Sequence, residues 1–89
     1  MDSLNLPRER AFLVRYLAPT NTRGSRVKIK DLRRGDQVTV PYDYRLSYIY
    51  EMAAEYLKSR GIRELRLVLA DTLDAYVIST PDFETSLKA

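Results

Sequence analysis

The sequence predicts one α+β domain, a two-layer sandwich in the order β-β-β-α-β-β, with a mixed or mostly antiparallel sheet and one helix packed on one face. Three observations predict it. Five short segments show the β-branched and aromatic content or the alternation of strands. One segment, Asp43 to Arg60, switches to helical spacing. The length, 89 residues, suffices for one core but not for additional layers or a deep substrate cavity. The whole chain, 1–89, reads as a single domain, with residues 1–9 and 81–89 expected to be flexible.

Each element has its own reason. Residues 1–9 are a polar lead-in containing Pro7. Ala11 to Leu17 is apolar on both alternating sets, the pattern of a central strand. Residues 18–25, from Ala18-Pro19 to Gly24-Ser25, form a turn-rich loop too long for a two-residue hairpin. Arg26 to Lys30 alternates cleanly, Val27 and Ile29 one way, Arg26, Lys28 and Lys30 the other. Arg33-Arg34-Gly35-Asp36 makes a second turn, and Gln37 to Val40 a third strand stopped by Pro41.

In the helix, Leu46, Ile49, Tyr50, Ala53 and Leu57 form the apolar stripe, opposite Tyr48, Glu51, Glu55 and Lys58. Asp43, or Ser47 if the helix begins later, is placed to cap it, and Gly61 to end it. Glu64 to Ala70 and Ala75 to Ser79 are the last two strands, joined by a turn at residues 71–74. The helix connects the third strand to the fourth as a crossover, so these two are expected to run parallel.

Composition narrows the function. Cysteine and histidine are both absent, which removes disulfides, thiolate chemistry, most transition-metal sites and the commonest general base. An enzyme would have to work with Asp, Glu, Lys, Tyr or Ser, so a non-enzymatic module without cofactor or metal is expected. No apolar run reaches the roughly 18–20 residues of a membrane span. The first seven residues lack the order of a secretory leader, so the expected location is the cytoplasm. Eleven Arg against four Lys, with few Asn and Gln, is a composition seen in some thermophile proteins.

Charge is uneven along the chain. Residues 1–50 carry ten Lys or Arg against five Asp or Glu, and residues 51–89 carry five against seven. The richest stretch is Thr20 to Arg34, where only Asp31 opposes six basic residues. Alternation places Phe12, Val14, Tyr16, Val27, Ile29, Val38, Val40, Leu65, Leu67 and Leu69 under the helix. Leu13, Arg15, Leu17, Arg26, Lys28, Lys30, Thr39 and Arg66 then line the other face, which one helix cannot cover.

The candidate site follows from that face and its loop: Arg15, Thr20, Asn21, Thr22, Arg23, Ser25, Arg26, Lys28 and Lys30. Guanidinium and ammonium groups neutralise phosphates, while hydroxyls, an amide and a Gly-containing backbone supply further phosphate contacts. The candidate partner is DNA or RNA. A plainer explanation also fits, since alternating Lys and Arg solvate an exposed strand and discourage aggregation.

The alternative partner is a protein, or a second copy of the chain, meeting Leu13, Leu17 and the tyrosines Tyr44 and Tyr48. Those tyrosines are expected on the outer helix face, where Glu51 and Glu55 weigh against base stacking. Asp71, Asp74 and Asp82 match no calcium loop. Arg34-Gly35-Asp36 is read as a turn.

The stretch from Arg15-Tyr16-Leu17-Ala18-Pro19-Thr20-Asn21-Thr22-Arg23-Gly24-Ser25 to Arg26-Val27-Lys28, followed by Pro41-Tyr42-Asp43-Tyr44, resembles a pattern in small proteins of phages, plasmids and related mobile elements. The resemblance covers roughly half the chain and carries no site residues with it. It implies a prokaryotic or viral accessory protein, a setting in which DNA binding and inhibition of host defence are both common.

Overall fold

The computed structural model describes residues 8–69 and 75–87. The strands are β1 (Arg10–Leu17), β2 (Arg26–Asp31), β3 (Gln37–Pro41), β4 (Arg66–Leu69) and β5 (Ala75–Thr80), and the helix is α1 (Ile49–Ser59). They form one sheet in the order β3-β2-β1-β5-β4, every pairing antiparallel, with α1 across one face. The expected α+β architecture is therefore present. The lead-in over residues 1–7 and the turn at 71–74 lie outside the described residues.

β1 takes the centre because both its alternating sets are at least half apolar. Phe12 and Val14 are buried on the helix side, while Ala11 and Leu13 are half-buried on the other. β2 and β5 occupy its two edges, so β3 and β4 are driven to opposite margins of the sheet. β3 and β4 point the same way but never pair, because three antiparallel strands separate them.

The core lies between α1 and the sheet: Phe12, Val14, Val27 and Ile29 from β1 and β2, Ile78 from β5, and Met52, Ala53 and Leu57 from the helix. Val38, Val40 and Leu65 pack at its margin. Leu67 shares the helix side through its register with Ile78, though it remains partly exposed, and the side chain of Leu69 lies outside the described residues.

The helix is shorter than its apolar pattern. Neither Asp43 nor Ser47 caps it. Asp43 Oδ1 accepts from the Arg45 amide at 3.0 Å and from Nε at 3.0 Å, and Oδ2 accepts from Nη2 at 2.8 Å. The Glu51 carboxylate instead reaches back to the amides of Ser47 (3.1 Å) and Tyr48 (2.9 Å), so the helix begins after Tyr48. At the other end Gly61 adopts φ 89°, and the Gly61 and Ile62 amides donate to the Lys58 and Leu57 carbonyls. That pairing is a Schellman stop, with Ile62 and Leu57 both in the core. β4 starts two residues later than its pattern suggests because Glu64 sits at φ 56°, outside the range of a strand.

The far end of the β1–β2 ribbon is held by a buried ion pair. Arg10 Nε and Nη2 donate to Asp31 Oδ2 at 3.1 and 2.7 Å, and both side chains are fully buried. Asp31 Oδ1 accepts from the Arg33 and Arg34 amides, which shapes the turn ending at Gly35. Arg10 Nη1 donates to the carbonyls of Asp82 (3.2 Å) and Thr85 (2.6 Å).

Here the expected loose tail is corrected for residues 81–87. Leu87 is fully buried, the Tyr56 hydroxyl donates to its carbonyl, and Arg33 lies over the Phe83 ring. The tail packs because the Arg10 guanidinium needs more acceptors than Asp31 alone supplies.

Two stability predictions follow from this end of the molecule. A chain of this length has a total stability of about 5–13 kcal/mol. Removing one partner of a satisfied buried pair costs about 3–5 kcal/mol, so Asp31→Ala should lose a large share of it in urea unfolding. Burial raises the Asp31 carboxyl, but hydrogen bonds from Arg10 and from the Arg34 and Arg33 amides outweigh this and hold it below its ordinary value. Hydrogen bonds from Thr85 lower Asp82 likewise. A depressed folded-state value stabilises above the unfolded carboxylate range and is lost as pH falls through the folded one. The urea midpoint should therefore hold from neutrality down to about pH 5 and drop below about pH 4.

Candidate functional site

At the opposite end of the β1–β2 ribbon the chain behaves differently. From Arg10 to Tyr16 the strand runs about 20 Å, so the two ends of the sheet are well separated. β1, β2 and β3 form a meander, and their register places Leu17, Arg26 and Pro41 in one row. The loop after β1 and the segment after β3 must therefore emerge side by side.

The 18–25 loop is shaped by its own polar groups. The Thr20 amide donates to the Arg23 carbonyl at 2.8 Å, and the Thr20 hydroxyl accepts from the Thr22 and Arg23 amides. Arg26 folds back, donating to the carbonyls of Gly24 (3.2 Å) and Ala18 (3.5 Å). The Tyr42 amide donates to the Ser25 carbonyl, which ties the segment after β3 to the loop. Thr20 and Arg26, read from sequence as ligand-facing, thus also build the loop. Asn21, Thr22 and Arg23 are exposed on it, and Ser25 is half-buried at its base.

Two concavities lie at this end, and a third runs along the open face of the β1–β2 ribbon. On the open face, Leu13, Arg15, Lys28 and Lys30 line a recess of about 250 Å³. Register explains the grouping, since Arg15 lies opposite Lys28 and Leu13 opposite Lys30. On the helix side, a recess of about 460 Å³ is lined by Tyr16, Tyr42, Tyr44, Tyr48 and Tyr76 with Ser25, Ser47 and Ile49. Between them, a shelf of about 410 Å³ includes Arg23, Arg26, Thr39 and Pro41 and shares Ser25, Tyr42 and Tyr44 with the tyrosine recess. The surface thus passes from tyrosine rings, over the arginines of the loop, toward the lysines of the open face.

Most of the basic residues identified from sequence are brought together here, on the open face or on the loop. Arg66 shares the open face but belongs to another row and is ion-paired with Glu9 at 2.7 Å. Leu13 lies in the basic recess, and Leu17 is half-buried at the end of β1.

Tyr44 and Tyr48 are not on the outer face of α1 as expected. Both precede the helix, because Glu51 caps it at Tyr48, and both line the recess. Tyr44 is 81% exposed and Tyr48 52% exposed. Tyr16 shares the helix-side row with Val27 and Val40 but remains partly exposed, its hydroxyl 2.8 Å from Ser25 Oγ.

The parts of the site that sequence reading overlooked are the tyrosine recess and the contributions of Ser47 and Tyr76. A signal existed. In any three-strand meander the first loop and the exit from the third strand share an end, which places Tyr42 and Tyr44 beside Ser25.

The acidic neighbours are engaged locally. Hydrogen bonds from the Arg45 side chain and amide bring the Asp43 carboxyl down to about 2, and the Glu51 carboxylate accepts two amides at the helix start. Among the described residues no group of His, Cys, Asp or Glu is gathered as a metal site requires, and no helix is long and apolar enough to cross a membrane. No protein-family model matches the chain, and neither a curated protein nor a solved structure matches it.

The basic residues of the open face take no part in the core. Arg15→Ala and Lys30→Ala should each change unfolding free energy by less than about 0.5 kcal/mol. On the opposite face Phe12→Ala should cost about 3–5 kcal/mol, measured in the same denaturant titration.

Proposed function

We propose that the protein is a non-enzymatic nucleic-acid-binding module that uses the basic side of its sheet and the adjoining 18–25 loop. The observation that carries this reading is the convergence of Arg15, Lys28 and Lys30 on one open concavity next to the loop that bears Arg23 and Arg26. Cations gathered on an uncovered face raise the local concentration of a polyanion and exchange condensed counterions for fixed charges. The exposed Asn21 and Thr22, with the Gly24 backbone, add neutral groups that suit phosphate oxygens. Arg26 contributes mainly by holding the loop, so the phosphate-facing charges are Arg15, Arg23, Lys28 and Lys30.

A second reading has its own observation. Leu13, Val77 and the half-exposed Val68 lie in one row across β1, β5 and β4 on the open face. Such a row suits a protein partner or a second copy of the chain. A strictly monomeric mass by light scattering would remove the homodimer version.

Fluorescence anisotropy with a short labelled oligonucleotide tests the leading reading. Four phosphate contacts give a slope of log K against log salt of about −3 to −4. Lys28→Glu should weaken binding about tenfold or more and make that slope shallower. Absence of binding to single and double strands alike at about 50 mM salt, well below the range where screening dominates, would contradict it.

A further inference from the structure

We infer that the tyrosine recess on the helix side of the loop is a base-stacking site, and that the ligand is single-stranded nucleic acid. The inference rests on the nucleic-acid reading above and narrows it to one substrate class.

Two runs of aromatic contact reach the recess. In one, Tyr16 meets Tyr42 edge-on at 5.9 Å and Tyr42 meets Tyr44 at 4.9 Å. In the other, Tyr76 meets Tyr50 at 5.1 Å and Tyr50 stacks on Tyr48 at 5.1 Å with an interplanar angle of 12°. Each run ends in the most exposed ring of its series, Tyr44 or Tyr48. Rings braced by other rings and left open at the end are preorganised platforms, since little side-chain freedom remains to be lost on binding.

The lining then selects the ligand. Among the described residues it contains no charged side chain, only tyrosines, Ser25, Ser47 and Ile49. A flat, uncharged, hydrogen-bonding group fits such a surface. Arg23 and Arg26 line the adjoining shelf, which shares Tyr42 and Tyr44 with the recess, so the preferred ligand carries negative charge next to its flat group. A nucleotide has that arrangement and a neutral sugar does not.

The strandedness follows from geometry. Bases in a duplex show only their edges, whereas stacking on a side chain requires an unstacked face. A single strand can place a base among the tyrosines while its phosphates continue over Arg23 toward Lys28.

The test compares labelled single-stranded and blunt duplex oligonucleotides of one sequence at fixed salt, with Tyr44→Ala, Tyr48→Ala, Tyr48→Phe and Lys28→Glu variants whose thermal midpoints are checked first. Stacking is worth about 1–3 kcal/mol per base, so Tyr44→Ala or Tyr48→Ala should weaken single-strand binding about 5- to 150-fold with the salt slope unchanged. Tyr48→Phe should retain affinity, because the ring and not the hydroxyl does the stacking. Duplex binding should be weaker and should not respond to the tyrosine changes.

If both alanine variants bind single strands as the parent does while Lys28→Glu weakens them, the base site is wrong and the basic face stands. Equal affinity for duplex and single strand would also overturn it. Absence of all binding at low salt would overturn both readings together.

Discussion

The Arg10–Asp31 pair is the interaction on which the rest of the structure depends. It joins the start of β1 to the end of β2 inside the protein, where a lone charge would be costly. β1 and β2 can pair in only one register while Arg10 and Asp31 meet. A slip of one residue would turn Phe12 and Val14 out and Leu13 and Arg15 in. Through that register the pair assigns Arg15, Lys28 and Lys30 to the open face, and Tyr16 with Ser25 to the helix side. It also recruits the tail, whose carbonyls complete the hydrogen bonding of the guanidinium and whose Leu87 fills the core.

A second constraint shapes the other end. Because Asp43 is turned toward Arg45 and the Glu51 side chain caps the amides of Ser47 and Tyr48, the apolar stripe that begins at Leu46 does not propagate as helix until Ile49. Residues 42–48 are left as an irregular segment, and Tyr42, Tyr44 and Tyr48 gather at the sheet end instead of rotating around a helix. Had the helix begun at Asp43, the recess would not exist in this form. The ring contacts and the bond from the Tyr42 amide to Ser25 then tie this segment to the loop. The ion pair sits at one end of the β1–β2 ribbon, and the tyrosines and the 18–25 loop lie at the other, about 20 Å away.

Much of this was legible in the sequence. The strands β1, β2, β3 and β5, the helix stripe, the Gly61 stop and the two-sided alternation of Arg26 to Lys30 all follow from local pattern, because each segment meets the core with its own period. Strand order was not legible. It depends on β5 choosing the edge of β1, a contact between residues 60 to 70 positions apart. Arg10 gave no signal either, since a single arginine at a strand start looks like any solvated charge until Asp31 and the tail are placed around it. The tyrosine recess was hidden by the helix start. Periodicity favoured an early cap, and the competing bonds of Asp43 and Glu51 can be judged only in three dimensions.

The central claim is that nucleic acid engages one end of the sheet, over the loop and onto the tyrosines. Amide chemical-shift mapping of the labelled protein during titration with a short single-stranded oligonucleotide tests it most directly. The account predicts perturbations concentrated at residues 15–30 and 42–48, with the tail around Asp82 to Leu87 and strand β4 unchanged. Perturbations centred on β4 and the Val68–Val77 row, or none at low salt, would contradict it.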